Sequence, residues 1–248
     1  MQGVFLTALG VGGATVVGAI IGFLFKNISH RLSDLVLSFA AGVMLSAAVI
    51  GLVLPSMDYG NIFITITGIF AGALFLNLVD KFVPHLHHFT GVNEESHPVN
   101  TEKLNKILLF VMAIAIHNFP EGIAAGVSFG TGDLSQALVV AGGIALQNIP
   151  EGMVIISPML SLGISKRRTF ICALLTGLVE VIGTFIGYGA VSVSLAVLPF
   201  ALAFAGGTML YVISDEMIPE THHGDERFVT YALLAGFSIM LICDFYLG

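Results

Sequence analysis

Eight apolar runs, each long enough to cross a bilayer and separated mostly by short polar breaks, decide what this chain can fold into. A helix needs roughly 17–25 mainly apolar residues to span the hydrocarbon core. Such runs lie at about Val4–Phe25, Leu32–Leu54, Ile62–Val83, Leu104–Gly130, Leu134–Leu162, Phe170–Gly189, Val191–Ile218 and Phe228–Leu247. Lipid offers backbone amides no partner, so each run has to bond its own as a helix. With 56% hydrophobic and 10% charged residues there is no soluble class left to consider. The expectation is an all-α integral membrane protein of eight transmembrane helices, one domain over residues 1–248. The first run begins near Val4 with no basic n-region and no small-residue cleavage site, so it reads as a retained helix and not as a signal peptide.

Basic residues gather on the cytoplasmic side of membrane proteins. Lys26 and Arg31 flank the first connection, Lys81, Lys103 and Lys106 the third, Lys166, Arg167 and Arg168 the fifth, and Arg227 the seventh, which accounts for all nine Lys and Arg. The even connections carry only Asp58 and Asp133. Odd-numbered connections are therefore expected in the cytoplasm and both termini outside a plasma (inner) membrane. The net charge of −7 argues against nucleic acid as a partner. Cys172 and Cys243 fall near opposite membrane faces and cannot pair, and His30 reads as a polar cap at the first cytoplasmic turn. The one sizeable loop, Pro84 to Asn100, holds His85, His87, His88 and His97; it suits a solvated linker as well as a metal-collecting loop.

Inside the apolar runs one polar string occurs twice, thirty positions apart: His117-Asn118-Phe119-Pro120-Glu121-Gly122 and Gln147-Asn148-Ile149-Pro150-Glu151-Gly152. On a helix the first residue and the Glu share a face, with Asn close by, so each string presents three convergent ligands. Each Pro also removes a backbone donor and loosens the carbonyl four residues earlier, a defect tolerated in a bilayer only against protein or a wet cavity. Glu180 adds a third acid at similar depth in the next run. Three buried carboxylates repel one another unless protons or a cation neutralise them, and His117, Asn118, Gln147 and Asn148 are donors suited to a divalent metal. Polar residues that merely glue helices together are the plainer reading, but glue does not call for three Glu and a His at matched depth.

A second repetition is weaker. Phe39-Ala40-Ala41-Gly42-Val43-Met44-Leu45 and Phe204-Ala205-Gly206-Gly207-Thr208-Met209-Leu210 agree at five of seven positions, and Pro55 and Pro219 follow them. Their spans run in opposite directions, so spans one to three are expected to pair with six to eight as an inverted repeat around a central pair, four and five; such repeats are a transporter signature. The Gly-rich first span is assigned to packing.

With its two Pro-Glu-Gly strings, eight spans and His-bearing loop, the chain resembles the ZIP (Zrt/Irt-like) family of divalent metal transporters, and its length is similar to that of compact prokaryotic members. The resemblance implies a two-metal centre in mid-membrane. His117, Glu121, Gln147 and Glu151 match the primary site; Asn118, Asn148 and Glu180, with the two Glu bridging, match a second; Met44 matches a position that approaches the first. Asp58 and Asp244 would stand at the external entrance, and Asp80, His85 and His87 at the cytoplasmic exit. Gln147 departs from the commoner His and Asn148 from an acid, which weakens the ligand set. Zn²⁺, Fe²⁺, Mn²⁺ or Cd²⁺ would be the transported substrate, divalent ions and the bilayer the partners, with room for a homodimer. The resemblance also assigns spans one, four, five and six to a moving block, and the Gly42 and Gly206–Gly207 stretches are expected to form its sliding face. The rival class, an intramembrane metal-dependent hydrolase, needs a His-Glu-x-x-His string, which does not occur here. A sensor would need an output domain.

Overall fold

The computed structural model describes residues 2–25, 29–82, 115–161, 163–222 and 227–248, with Asp80 and Phe82 described by backbone only. Described residues form helices α1 (Gln2–Leu24), α2 (His30–Tyr59), α3 (Ile62–Phe82), α4 (115–128), α5 (Leu134–Ser161), α6 (Lys166–Val193), α7 (Leu195–Thr221) and α8 (Arg227–Leu247), and no strand occurs among them. Seven of these are long and apolar enough to cross a membrane, and α4 is the described part of the eighth expected span. Their outer faces carry large exposed side chains such as Phe63, Phe70 and Leu74 on α3 and Leu178, Ile182 and Phe185 on α6. Such stripes are tolerated against lipid and not against water.

Polar caps start the helices. The Ser29 hydroxyl accepts the Leu32 amide at 3.2 Å, so Ser29 and not His30 caps α2. Asn61 Oδ1 accepts the amides of Phe63 and Ile64 at 3.0 and 3.1 Å, and Asp133 Oδ1 those of Ser135 and Gln136 at 2.9 and 3.1 Å. Some expected boundaries move, as where α2 runs past Leu54 to Tyr59. Helix α6 does not stop at Gly189 but runs to Val193, because a helix tolerates an isolated glycine. The chain turns extended only at Ser194 (φ −155°, ψ 118°), and Pro199 lies in the opening turns of α7.

Two blocks emerge from the packing. In one, α1 lies against α5 and α6, and α4 lies against α6; in the other, α2 pairs with α8, and α3 with α7. Glycines set the closeness, and the contacts recur in copies. A Cβ at Gly18 would overlap the Ile149 carbonyl and one at Gly152 that of Thr15; equally, one at Gly183 would overlap the Phe119 carbonyl and one at Gly122 that of Glu180. Thr15 and Gly18 stand to Glu180 and Gly183 as Phe39 stands to Phe204, at one constant separation in sequence. Gly12 and Gly177, also at that separation, each face the other's carbonyl, as residues at a two-fold axis must. The expected inverted repeat is present in these contacts.

Both copies also carry a π turn, at Val49–Val53 in α2 and Ile213–Met217 in α7. The Leu54 and Ile218 amides reach back five residues to Val49 and Ile213, just before Pro55 and Pro219. The Gly42 and Gly206–Gly207 stretches, however, do not lie between the two blocks. Gly42 packs on Leu233 of α8, Gly207 on Ile69 of α3 and Gly206 on Val53 of α2, all within one block. The blocks meet instead where α2 crosses α5, with Gly51 against Val140 and Ala47 against Gly143.

Candidate metal centre

The proline strings sit in unbroken helix: α5 carries Pro150 in its interior, and α4 continues through Pro120. The glycine closing each string lets a neighbouring helix approach, α6 at Gly122 and α1 at Gly152, so the polar residues of four helices are drawn to one level. Asn118 is 1% exposed, and Glu121, Gln147, Asn148 and Glu180 are fully buried. His117 and Glu151 are half-buried.

Glu180 is the hub. Its Oε1 accepts from the Thr15 hydroxyl at 2.8 Å and from the Asn118 amide, and its Oε2 accepts from the Asn148 amide at 2.7 Å. The Asn148 amide donates also to the Val11 carbonyl at 3.2 Å. A carboxylate only accepts, so both Asn side chains must turn their NH₂ groups to Glu180 and their carbonyl oxygens away from it. Those oxygens, Asn118 Oδ1 and Asn148 Oδ1, are buried without a partner, as are both Glu121 oxygens and both polar atoms of the neighbouring Gln147. Five of these six atoms are acceptors. Buried polar atoms are nearly always bonded, and a leftover set of acceptors is stabilised only by donors or a cation. Glu121 lies in the fields of Glu151 and Glu180, and Glu151 in that of His117.

The structure therefore gathers His117, Asn118, Glu121, Gln147, Asn148, Glu151 and Glu180. Met44 is fully buried and belongs to the apolar core that also holds Ala124 and Ile144. Asp58 is exposed at the end of α2 and Asp244 half-buried in the last turn of α8, so neither joins the group. The Asp80 side chain, His85, His87 and the rest of the loop lie outside the described residues. Among the described residues no three of His, Cys, Asp and Glu close on one point; amides intervene between the carboxylates.

Two participants were not legible beforehand. Helix α1 supplies Thr15 and the Val11 carbonyl, so its role is not packing alone. Glu216 places Oε2 2.5 Å from His117 Nε2 and so links α7 to α4 across the two blocks. Glu216 lies in the π turn, inside a helix that continues to Thr221.

The ZIP Zinc transporter family profile matches residues 101–244. A protein of Myxococcus xanthus named Zinc transporter GufA is 46% identical over 182 residues, covering 73% of this chain and 70% of that protein. Zinc transporter ZIPB of Bordetella bronchiseptica is 36% identical, covering 95% of this chain and 78% of its own length, and Zinc transporter ZupT of Chlorobaculum parvum is 33% identical at 96% and 95%. The doubled proline motif, the helical fold and these likenesses agree: the chain belongs to the ZIP family of membrane transporters, bacterial in type, and is not an enzyme.

Proposed function

We propose that the protein carries a divalent transition metal, zinc foremost, into the cytoplasm by alternating access. The metal is held in mid-membrane by His117, Glu121, Gln147 and Glu151, with Asn118, Asn148 and Glu180 forming a second site and Met44 approaching the first. The observation that carries this is the buried set of unpartnered acceptors on Asn118, Glu121, Gln147 and Asn148. Divalent ions in the two sites would give these acceptors a partner and offset the mutual repulsion of three carboxylates. Carboxylates, amides and one imidazole accept Fe²⁺, Mn²⁺ or Cd²⁺ on similar terms, so the preference for zinc is drawn from the names of the relatives.

A standing pore lined by these groups would hold a divalent ion too tightly for fast conduction. Movement of α1, α4, α5 and α6 against the other four helices would instead open the centre to one side at a time, as inverted repeats allow. Asp58 and Asp244, at one end of the bundle, would gather ions at the external entrance; Asp80, His85 and His87 would receive them at the cytoplasmic exit. Odd connections face the cytoplasm and both termini the outside. In proteoliposomes, Glu121→Ala is expected to abolish zinc uptake while the purified protein stays folded. Uptake at the wild-type rate would overturn the shared centre.

A further inference from the structure

Helix α1 was expected only to pack, yet one turn of it faces the carboxylate hub. Three other buried threonines bond to their own helix: Thr176 to the Ala173 carbonyl, Thr184 to that of Glu180 and Thr208 to that of Ala205. That is the ordinary resort of a helical threonine in an apolar setting. Thr15, 1% exposed, does otherwise. The carbonyl four residues before it, that of Val11, takes the Asn148 amide, and the Thr15 hydroxyl donates across the helix interface to Glu180 Oε1.

The repeat explains the pairing. Thr15 occupies in α1 the place that Glu180 occupies in α6, and Gly12 and Gly177, one turn away, touch at the axis. Equivalent side chains there face each other. Two carboxylates at 2.8 Å would repel, whereas a hydroxyl opposite a carboxylate supplies the donor it needs. The first copy thus holds the acid of the second, and the acid holds both Asn amides.

We propose that Thr15 is a positioning residue: its hydroxyl fixes the Glu180 carboxylate and, through it, turns the carbonyl oxygens of Asn118 and Asn148 toward the transported metal, so that α1 sets metal affinity. This rests on the metal-centre reading above. It predicts a loss in binding of the ion with little change in the rate of the moving step, because Thr15 touches the ligand set and not the interface between the blocks.

Zinc uptake into proteoliposomes tests it. Thr15→Val keeps the volume and loses the donor, and a lost hydrogen bond to a charged group corresponds to roughly a tenfold or greater rise in KM; kcat should stay within about twofold of wild type by the same argument. Thr15→Ser keeps the donor and should restore a near-native KM. A packing role orders the two the other way, since Val fills the interface and Ser leaves a methyl-sized void. A native KM in Thr15→Val, or a Ser variant as impaired as the Val variant, overturns the proposal. Should the Val variant not fold, Thr15→Ala against Thr15→Ser, which differ by the hydroxyl alone, reads the same quantity. Glu121→Gln run alongside separates the two levels: uptake lost there but native in Thr15→Val rejects only the role of Thr15, and native uptake in Glu121→Gln rejects the centre and the proposal with it.

Discussion

Replacing Gly183 by Ala tests the close approach that builds the site. A Cβ at Gly183 would lie 2.6 Å from the Phe119 carbonyl oxygen, 3.1 Å from the Ile123 nitrogen and 3.2 Å from the Gly122 Cα, where ordinary contact begins near 3.4 Å. The obstacle is backbone, which cannot swing aside, so α4 and α6 must part by about 0.8 Å, the shortfall at Phe119. Overpacking of this kind costs about 1–3 kcal/mol. The shift falls beside Asn118, so it also stretches the Asn118 bond to Glu180. Alanine gains about 1 kcal/mol over glycine in a helix interior, and Gly189 on the same helix, with no neighbour within 4 Å, reads that gain alone. The difference between Gly183→Ala and Gly189→Ala therefore isolates the steric effect, which at about 2–4 °C per kcal/mol separates their melting midpoints by several degrees. Thermal unfolding of the detergent-solubilised variants measures it, and zinc uptake should fall only in Gly183→Ala. Two variants that melt together and transport equally would refute the idea that glycine-set helix spacing positions the ligands.

Three further outcomes are expected. Ala47→Cys with Gly143→Cys, in a background lacking Cys172 and Cys243, places its Cβ atoms 3.7 Å apart once the flexible end of Met240 yields, inside the range of a disulfide; oxidation should arrest transport, and undiminished flux through fully cross-linked protein would exclude motion between α2 and α5. Single cysteines at Ser135 and Ser165 should label from outside and from inside respectively, and the reverse pattern would invert the topology. Uptake at fixed free zinc should fall on external acidification, because His117 and the Glu side chains bind metal only when deprotonated; a rise on acidification would contradict these ligands.

What could be read from the chain followed from the strength of the local signal. The bilayer makes apolar length decisive, so α1, α3, α5 and α8 were placed to within a few residues. The polar strings stood out for the same reason, since lipid makes every Asn, Gln and Glu conspicuous. Thr15 escaped notice because a threonine in an apolar helix is ordinary, and only the hydrogen bond to Glu180, 165 positions away, gives it a role. Gly42 and Gly207 do mark close contacts, but within one block and not on a face between blocks, because a small residue marks where helices touch and not which helix arrives. The approach of Glu216 to His117 is not legible in the sequence, because the register beyond Met209 cannot be followed through a π turn from sequence alone.

The pairing of the helices fixes the order in which the molecule can be assembled. Helix α1 is synthesised before its partners α5 and α6, and α2 before α8: the Ser38 hydroxyl bonds the Val229 carbonyl 191 positions later, and Thr15 waits for Glu180. At ordinary translation rates those intervals are on the order of ten seconds or more. Neither block can close while the ribosome is still on the first half of the chain, so α2 stands in lipid without α8, and α4 and α5 enter with their Asn and Glu side chains before α6 brings Glu180. Nascent chains stalled before α6 should accordingly be the species that membrane quality control detects, and α8 the last helix needed to release the finished protein from it.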